Sequence, residues 1–173
     1  MQQPQLPRFD PEPILELLDE HGVRYVVIGA IAAIAQGYPL NTGDLDVTPA
    51  RDPDNLERLA AVLHELDARL RVHGTPEGVA FQIDADYLGR VDSWTLTTRY
   101  GSFDLLFVPS GTRGFDDLRR GSVAVDIAGR DVRMAGLVDI IRMKEASGRP
   151  KDLAQLPALR QTLETARKRD SQS

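Results

Sequence analysis

Two aspartates separated by a single residue, in Gly43-Asp44-Leu45-Asp46-Val47-Thr48, are the residues of clearest chemical potential. The stretch alternates polar and apolar side chains as a strand does, and a period of two sets both carboxylates on one face, with α-carbons about 6.6 Å apart. Like charges this close oppose each other's ionisation unless a cation neutralises them. Carboxylate oxygens are hard ligands that suit Mg2+ or Mn2+. A turn aspartate followed by an exposed strand-end aspartate would give the same D-x-D, so the pair alone leaves both readings open.

A third carboxylate, Asp104, interrupts the apolar Phe103-Asp104-Leu105-Leu106-Phe107. Burying an unpaired charge there is costly, so Asp104 needs a partner cation or a metal, unless it lies on an edge facing water. Lys144 follows Leu137, Ile140 and Ile141 on one apolar helical stripe, where it reads either as a snorkelling lysine near a helix C-terminus or as a phosphate ligand. Asp84 and Asp86 form a second D-x-D, but Tyr87-Leu88-Gly89 gives them a turn-like context, and Asp116-Asp117 reads as the start of a short helix.

These side chains need elements to hold them. Asp10-Pro11 and Asp52-Pro53 each read as an N-cap with proline at the first helical position. The first helix ends at Gly22, and the second carries Leu56, Leu59, Ala60, Leu63 and Leu66 on one face. Arg24 to Ile28 reads as a buried strand, Ala30 to Ala35 as a short helix stopped by Gly37 and Pro39, and Asn41-Thr42-Gly43 as a turn before the strand of Asp44 to Thr48. Further strands are expected among Phe81 to Ile83, Trp94 to Tyr100, Phe103 to Val108, Val123 to Ile127 and Val132 to Met134, with hairpin turns at Gly101-Ser102 and Gly129-Arg130. Two helices close the chain, Leu137 to Ser147 and another after Pro150. Interleaved helices and strands, then clustered strands, then helices, imply an α/β (α+β) class with a mixed sheet flanked by helices.

The length of 173 residues fits one domain over 1–173, with 1–9 and 168–173 expected to be flexible ends. No signal-peptide pattern opens the chain, and the apolar run from Tyr25 to Ala35 falls short of the roughly 20 residues that cross a bilayer, so no membrane association is expected and a cytoplasmic location is the default. Cysteine is absent, which excludes thiolate chemistry. His21, His64 and His73 lack metal-ligand spacing and read as surface residues. A net charge of −5 gives no global attraction to nucleic acid. Arg160, Arg167, Lys168 and Arg169 read as a solvated helix end, with RNA contact the alternative. Neither G-x-G-x-x-G nor G-x-x-x-x-G-K-[ST] occurs, against a dinucleotide site and a P-loop.

Taken together, the residues resemble the nucleotidyltransferase fold superfamily, in which a strand, a small-residue pair opening a helix, and a strand bearing D-x-D occur in that order. The matching segments are Val26-Val27-Ile28-Gly29-Ala30, then Thr42-Gly43-Asp44-Leu45-Asp46, the acidic strand Phe103-Asp104-Leu105, and closing helices with Ile140-Ile141-Arg142-Met143-Lys144 and Arg149-Pro150-Lys151-Asp152. Within it the chain looks most like AbiE-type toxin nucleotidyltransferases, the mycobacterial MenA-type toxins among them, and their small relatives.

The resemblance implies NMP transfer from an NTP to an acceptor hydroxyl of RNA (tRNA) or protein, with an antitoxin protein as a partner. It implies that Asp44, Asp46 and Asp104 hold Mg2+ or Mn2+ and that Asp104 activates the acceptor. Gly29, Ala30 and Thr42 would approach the triphosphate, and Lys144 would neutralise it. Two metals would stabilise the attacking and leaving oxygens during in-line displacement of pyrophosphate. Ala30 departs from the Gly or Ser of that pattern, and Leu40 stands where many relatives carry arginine. A non-catalytic nucleotide-binding or partner-binding domain and a small-molecule (aminoglycoside-type) nucleotidyltransferase are the rival readings.

Overall fold

The computed structural model describes residues 7–173. The first helix, α1 (Pro11–Glu20), begins as expected. Asp10 accepts a hydrogen bond from the Glu12 N–H, and Gly22 leaves the helix with φ +66°. Then come β1 (Tyr25–Ile28), α2 (Gly29–Ala35), β2 (Asp44–Pro49) and α3 (Pro53–Glu65), the last capped by Asp52 on the Asn55 N–H. The rest comprises β3 (Arg69–Val72), β4 (Thr75–Val79), α4 (Ala85–Leu88), β5 (Ser93–Thr98), β6 (Gly101–Leu106), α5 (Phe115–Arg120), β7 (Val123–Ile127), β8 (Arg130–Met134), α6 (Leu137–Ser147) and α7 (Pro150–Asp170).

The strands form one mixed sheet in the order β4-β3-β5-β6-β2-β1-β8-β7. The β1/β8 and β2/β6 pairs are parallel and the others antiparallel. The pleat explains why the central strands serve two purposes. Leu45 and Val47 of β2 and Phe103 and Leu105 of β6 are fully buried, while Asp44, Asp46 and Asp104 occupy the alternating positions on the other face. Full burial of each such side chain stabilises by roughly 1.5–3 kcal/mol, so a one-residue slip that exposed them is strongly disfavoured. Ile14 and Leu18 of α1 and Leu59 and Leu63 of α3 join the same core. The buried Asn55 side chain accepts from the Arg24 N–H and donates to the carbonyls of Arg24 and Ala50, tying α3 to the outer ends of β1 and β2.

Two expectations change. Phe81 to Ile83 is not a strand; the Phe81 ring instead stacks on Trp94, centroids 5.3 Å apart. The strands in that region are β3 and β4. Both are short, and β4 carries Pro76 and Gly78, which an edge strand tolerates because one side of its backbone needs no ladder partner. The hairpin turns also lie one or two residues earlier than expected. Arg99-Tyr100 links β5 to β6, and Ala128-Gly129, with φ +51° and +81°, links β7 to β8 in the positive-φ geometry favoured by two-residue hairpins. Helix α7 extends through 168–170 and Phe9 packs on the core; residues 1–6 of the expected flexible N-terminal end lie outside the described residues. No described helix is long and apolar enough to cross a membrane.

Candidate active site

The parallel register of β2 and β6 sets Asp46 directly beside Asp104, and Asp44 beside Ser102. One carboxylate oxygen from each of Asp44, Asp46 and Asp104 lies within 4.8 Å of the others, the one such acidic cluster among the described residues. Burial, followed by the charges of Asp44 and Asp104, pushes the Asp46 carboxyl up to about 7, although Arg71 and Lys144 pull it down. Burial also raises Asp104, against the charge and hydrogen bond of Arg71 and the Leu96 N–H. The donor set is all oxygen and carries more negative charge than its protein surroundings satisfy, which fits a hard divalent cation.

Gly29 shows how closely the backbone approaches this cluster. It follows Ile28, the β1 residue that pairs with Asp46, with φ +70°, and a Cβ there would collide with the Asp46 carboxylate, with the Asp46 Cγ 3.2 Å away. Only glycine meets both conditions without strain. Ala30 follows on α2 and lines the cleft. Thr42 donates from Oγ1 to Asp44 Oδ1 at 2.8 Å, so its hydroxyl orients the first carboxylate.

The acids open into a cleft of about 680 Å³ whose opposite wall is built by α6 and α7. Lys144 lines it, 3.1 Å from Asp152. Asp152 is only 4% exposed and also accepts from Ser147 Oγ and Arg149 Nε, both at 2.6 Å. Burial opposes its ionisation, but hydrogen bonds from Ser147, Arg149 and Lys144, with the charge of Lys144, outweigh that and hold its pKa at about 2. One carboxylate, ionised at neutral pH, thus fixes two cations on the wall facing the acids. Arg149 and Lys151 are exposed at the rim, as is Leu40.

No protein-family model matches this sequence, and no curated protein matches it. Solved structures do. The chain is similar to the lincosamide antibiotic adenylyltransferase LnuA in its lincomycin-bound form, at 14% identity and TM-score 0.56, over 86% of this chain and 92% of that one. It is similar to ANT(2")-Ia in complex with adenylyl-2"-tobramycin, at 18% identity and TM-score 0.55, over 89% and 88%. A Thermotoga maritima protein assigned as a nucleotidyltransferase matches at 16% identity and TM-score 0.54, over 94% of this chain and 99% of that one. The fold is that of nucleotidyltransferases.

On this fold all seven residues singled out in the sequence, Gly29, Ala30, Thr42, Asp44, Asp46, Asp104 and Lys144, line the same cleft. The second D-x-D does not: Asp84 caps α4 on the Tyr87 N–H, and the Asp86 side chain is exposed and paired with Arg90. Neither is part of the cleft lining. Asp116-Asp117 opens α5, as expected. His64 and His73 are exposed, while His21 is half-buried and pairs with Glu65 at 2.6 Å. Sequence reasoning gave no separate role to Asp152, Ser147 or Arg149, although an aspartate in the first turn of a helix, just after Arg149-Pro150, was a visible signal for a structured helix start. It also missed Arg71, which lies on a strand that local periodicity does not reveal.

Proposed function

We propose that the protein is a metal-dependent nucleotidyltransferase that moves an NMP from an NTP to an acceptor hydroxyl. The observation that carries this reading is the convergence of three carboxylates from β2 and β6 on one face of a cleft whose other wall holds Lys144 and Arg149. Asp44, Asp46 and Asp104 would hold Mg2+ or Mn2+. When bound, such ions supply charge neutralisation at the phosphates and at the attacking and leaving oxygens.

The protein's own groups supply position. Gly29 admits the phosphates beside Asp46, Ala30 keeps the start of α2 small, and Thr42 holds Asp44 in place. Lys144, fixed by Asp152, offers its remaining donors to the triphosphate, and Arg149 and Lys151 add positive charge at the rim where Leu40 supplies none. Asp104 accepts the proton of the attacking hydroxyl as a P–O bond forms at the α-phosphorus and pyrophosphate departs with the electron pair of the broken bond.

The acceptor we favour is RNA (tRNA) or protein, in line with the resemblance to AbiE-type and MenA-type toxins, and with an antitoxin as partner. A cationic rim suits a polyanion better than a cationic aminoglycoside. The small-molecule reading draws its support from LnuA and ANT(2")-Ia, whose structures contain lincomycin and an adenylylated tobramycin. Incubation with each radiolabelled NTP, Mg2+ and either total RNA, cell protein or an antibiotic panel separates these acceptors, with an Asp44→Ala, Asp46→Ala variant as control. Label that requires both aspartates supports transfer. No label on any acceptor, with nucleotide binding retained, would leave a non-catalytic nucleotide-binding domain.

A further inference from the structure

Arg71 stands on β3, two strands away from Asp104, and the sheet register explains its reach. Arg69 and Leu70 pair with Thr97 and Leu96 of β5, and Thr95 of β5 pairs with Asp104 of β6. Arg71 is the next residue of β3, at a register shift between Leu70 and Val72, and its side chain reaches the face that carries Asp104. From there its Nη2 donates to both Asp104 oxygens, at 3.0 and 2.8 Å, while the Leu96 N–H donates to Oδ1 at 3.2 Å. The third carboxylate is therefore already engaged on both oxygens. Asp44 and Asp46 accept no arginine hydrogen bond among the described residues. The Arg71 side chain is 36% exposed against 15% for Asp104, so the arginine has solvent to swing into and the carboxylate does not.

We propose that Arg71 and the divalent metal compete for Asp104, so that this guanidinium sets the metal concentration at which the three-carboxylate site fills. The inference rests on the metal reading of Asp44, Asp46 and Asp104. A guanidinium and a divalent cation drawn to the same two oxygens repel each other, and the lone pairs given to one are withheld from the other. By linkage, whatever the metal loses in affinity to Arg71, Arg71 loses to the metal. Arg71 is thus a positioning residue: it holds Asp104 in its rotamer while the site is empty of metal and yields it on loading.

The test is a Mn2+ titration of the full chain without nucleotide, read by the electron paramagnetic resonance signal of free Mn2+. Arg71→Met keeps the aliphatic stem and removes the charge, and binds Mn2+ about 5- to 20-fold more tightly than the wild type, the low end of typical coupling because Arg71 is partly solvated. Arg71→Lys keeps the charge but loses the planar fork, and stays within about 3-fold of the wild type. An Asp44→Asn, Asp46→Asn variant abolishes binding. Wild-type binding lost in that control, with Arg71→Met at wild-type affinity or weaker, overturns the competition while the metal reading stands. Equal tightening in Arg71→Lys and Arg71→Met also overturns it, because charge would not be the cause. A wild type that binds no Mn2+ overturns both readings together.

Discussion

Replacing Asp46 by asparagine should make the metal-free protein more stable and the enzyme inactive. Burial and the charges of Asp44 and Asp104 raise Asp46 from an ordinary 3.8 to about 7. A carboxyl whose folded pKa lies above its unfolded one stabilises the fold only while protonated. That contribution is complete below about pH 4 and is lost as pH rises through about 7. At about 1.4 kcal/mol per pH unit, the loss between pH 4 and pH 8 is at most about 4 kcal/mol, and about 2 kcal/mol once relaxation and water are allowed for. Asparagine keeps the shape and remains neutral. In EDTA at pH 8, Asp46→Asn should therefore melt about 4–8 °C above the wild type, given about 2–4 °C per kcal/mol for a chain of this size. The two should converge near pH 4. Nucleotidyl transfer at pH 8 with saturating Mg2+ should fall at least about 1000-fold, the scale of losing a principal electrostatic element of a site. Scanning calorimetry across pH 4–8 is the measurement. A variant that melts at or below the wild type at pH 8 would refute the electrostatic argument, because Asp46 would then be satisfied by the protein alone.

Gly29→Ala places a methyl against the Asp46 carboxylate at φ +70°, and should cost about 1–3 kcal/mol in urea denaturation together with most of the metal affinity. Asp152→Ala releases Lys144 and Arg149 from one buried anion. It should raise KM for the NTP about 10-fold or more and lower stability by about 1–3 kcal/mol at pH 7, since Lys144 and especially Arg149 keep access to water; an unchanged KM would remove the phosphate-wall role of these cations. Asp152 titrates at about 2, below its unfolded value, so its contribution to stability is present above about pH 4 and disappears as pH falls toward 2. Asn55→Leu strands the Arg24 N–H and the Ala50 carbonyl, while the Arg24 carbonyl keeps its bond from the Ala50 N–H, and should destabilise by about 2–4 kcal/mol in a chemical denaturation curve, far from the cleft.

Much of the fold was legible because its signals are local. Asp10-Pro11 and Asp52-Pro53 cap helices where the cap chemistry predicts, since a cap involves neighbours in the chain. The alternation in Asp44-Leu45-Asp46-Val47 determined by itself that both aspartates leave the core on one side, because the period of a strand is two whatever it pairs with. The apolar context of Asp104 and the helical stripe around Lys144 marked two more positions of the cleft. The tertiary structure decided the rest. Which strand lies beside β2 is a matter of sheet order, and only that order brings Asp104 beside Asp46 and Arg71 onto Asp104. Phe81 to Ile83 has a strand's composition yet serves as packing for Trp94, while Arg69 to Val72, which lacks it, pairs because β5 offers it an open edge. Asp152 is ordinary in sequence and becomes the hub of a cation wall only when α7 folds back on α6. Local propensity and periodicity are properties of neighbours in the chain, whereas the convergence of carboxylates and their counter-charges depends on contacts between distant segments, which the sequence encodes only through the fold.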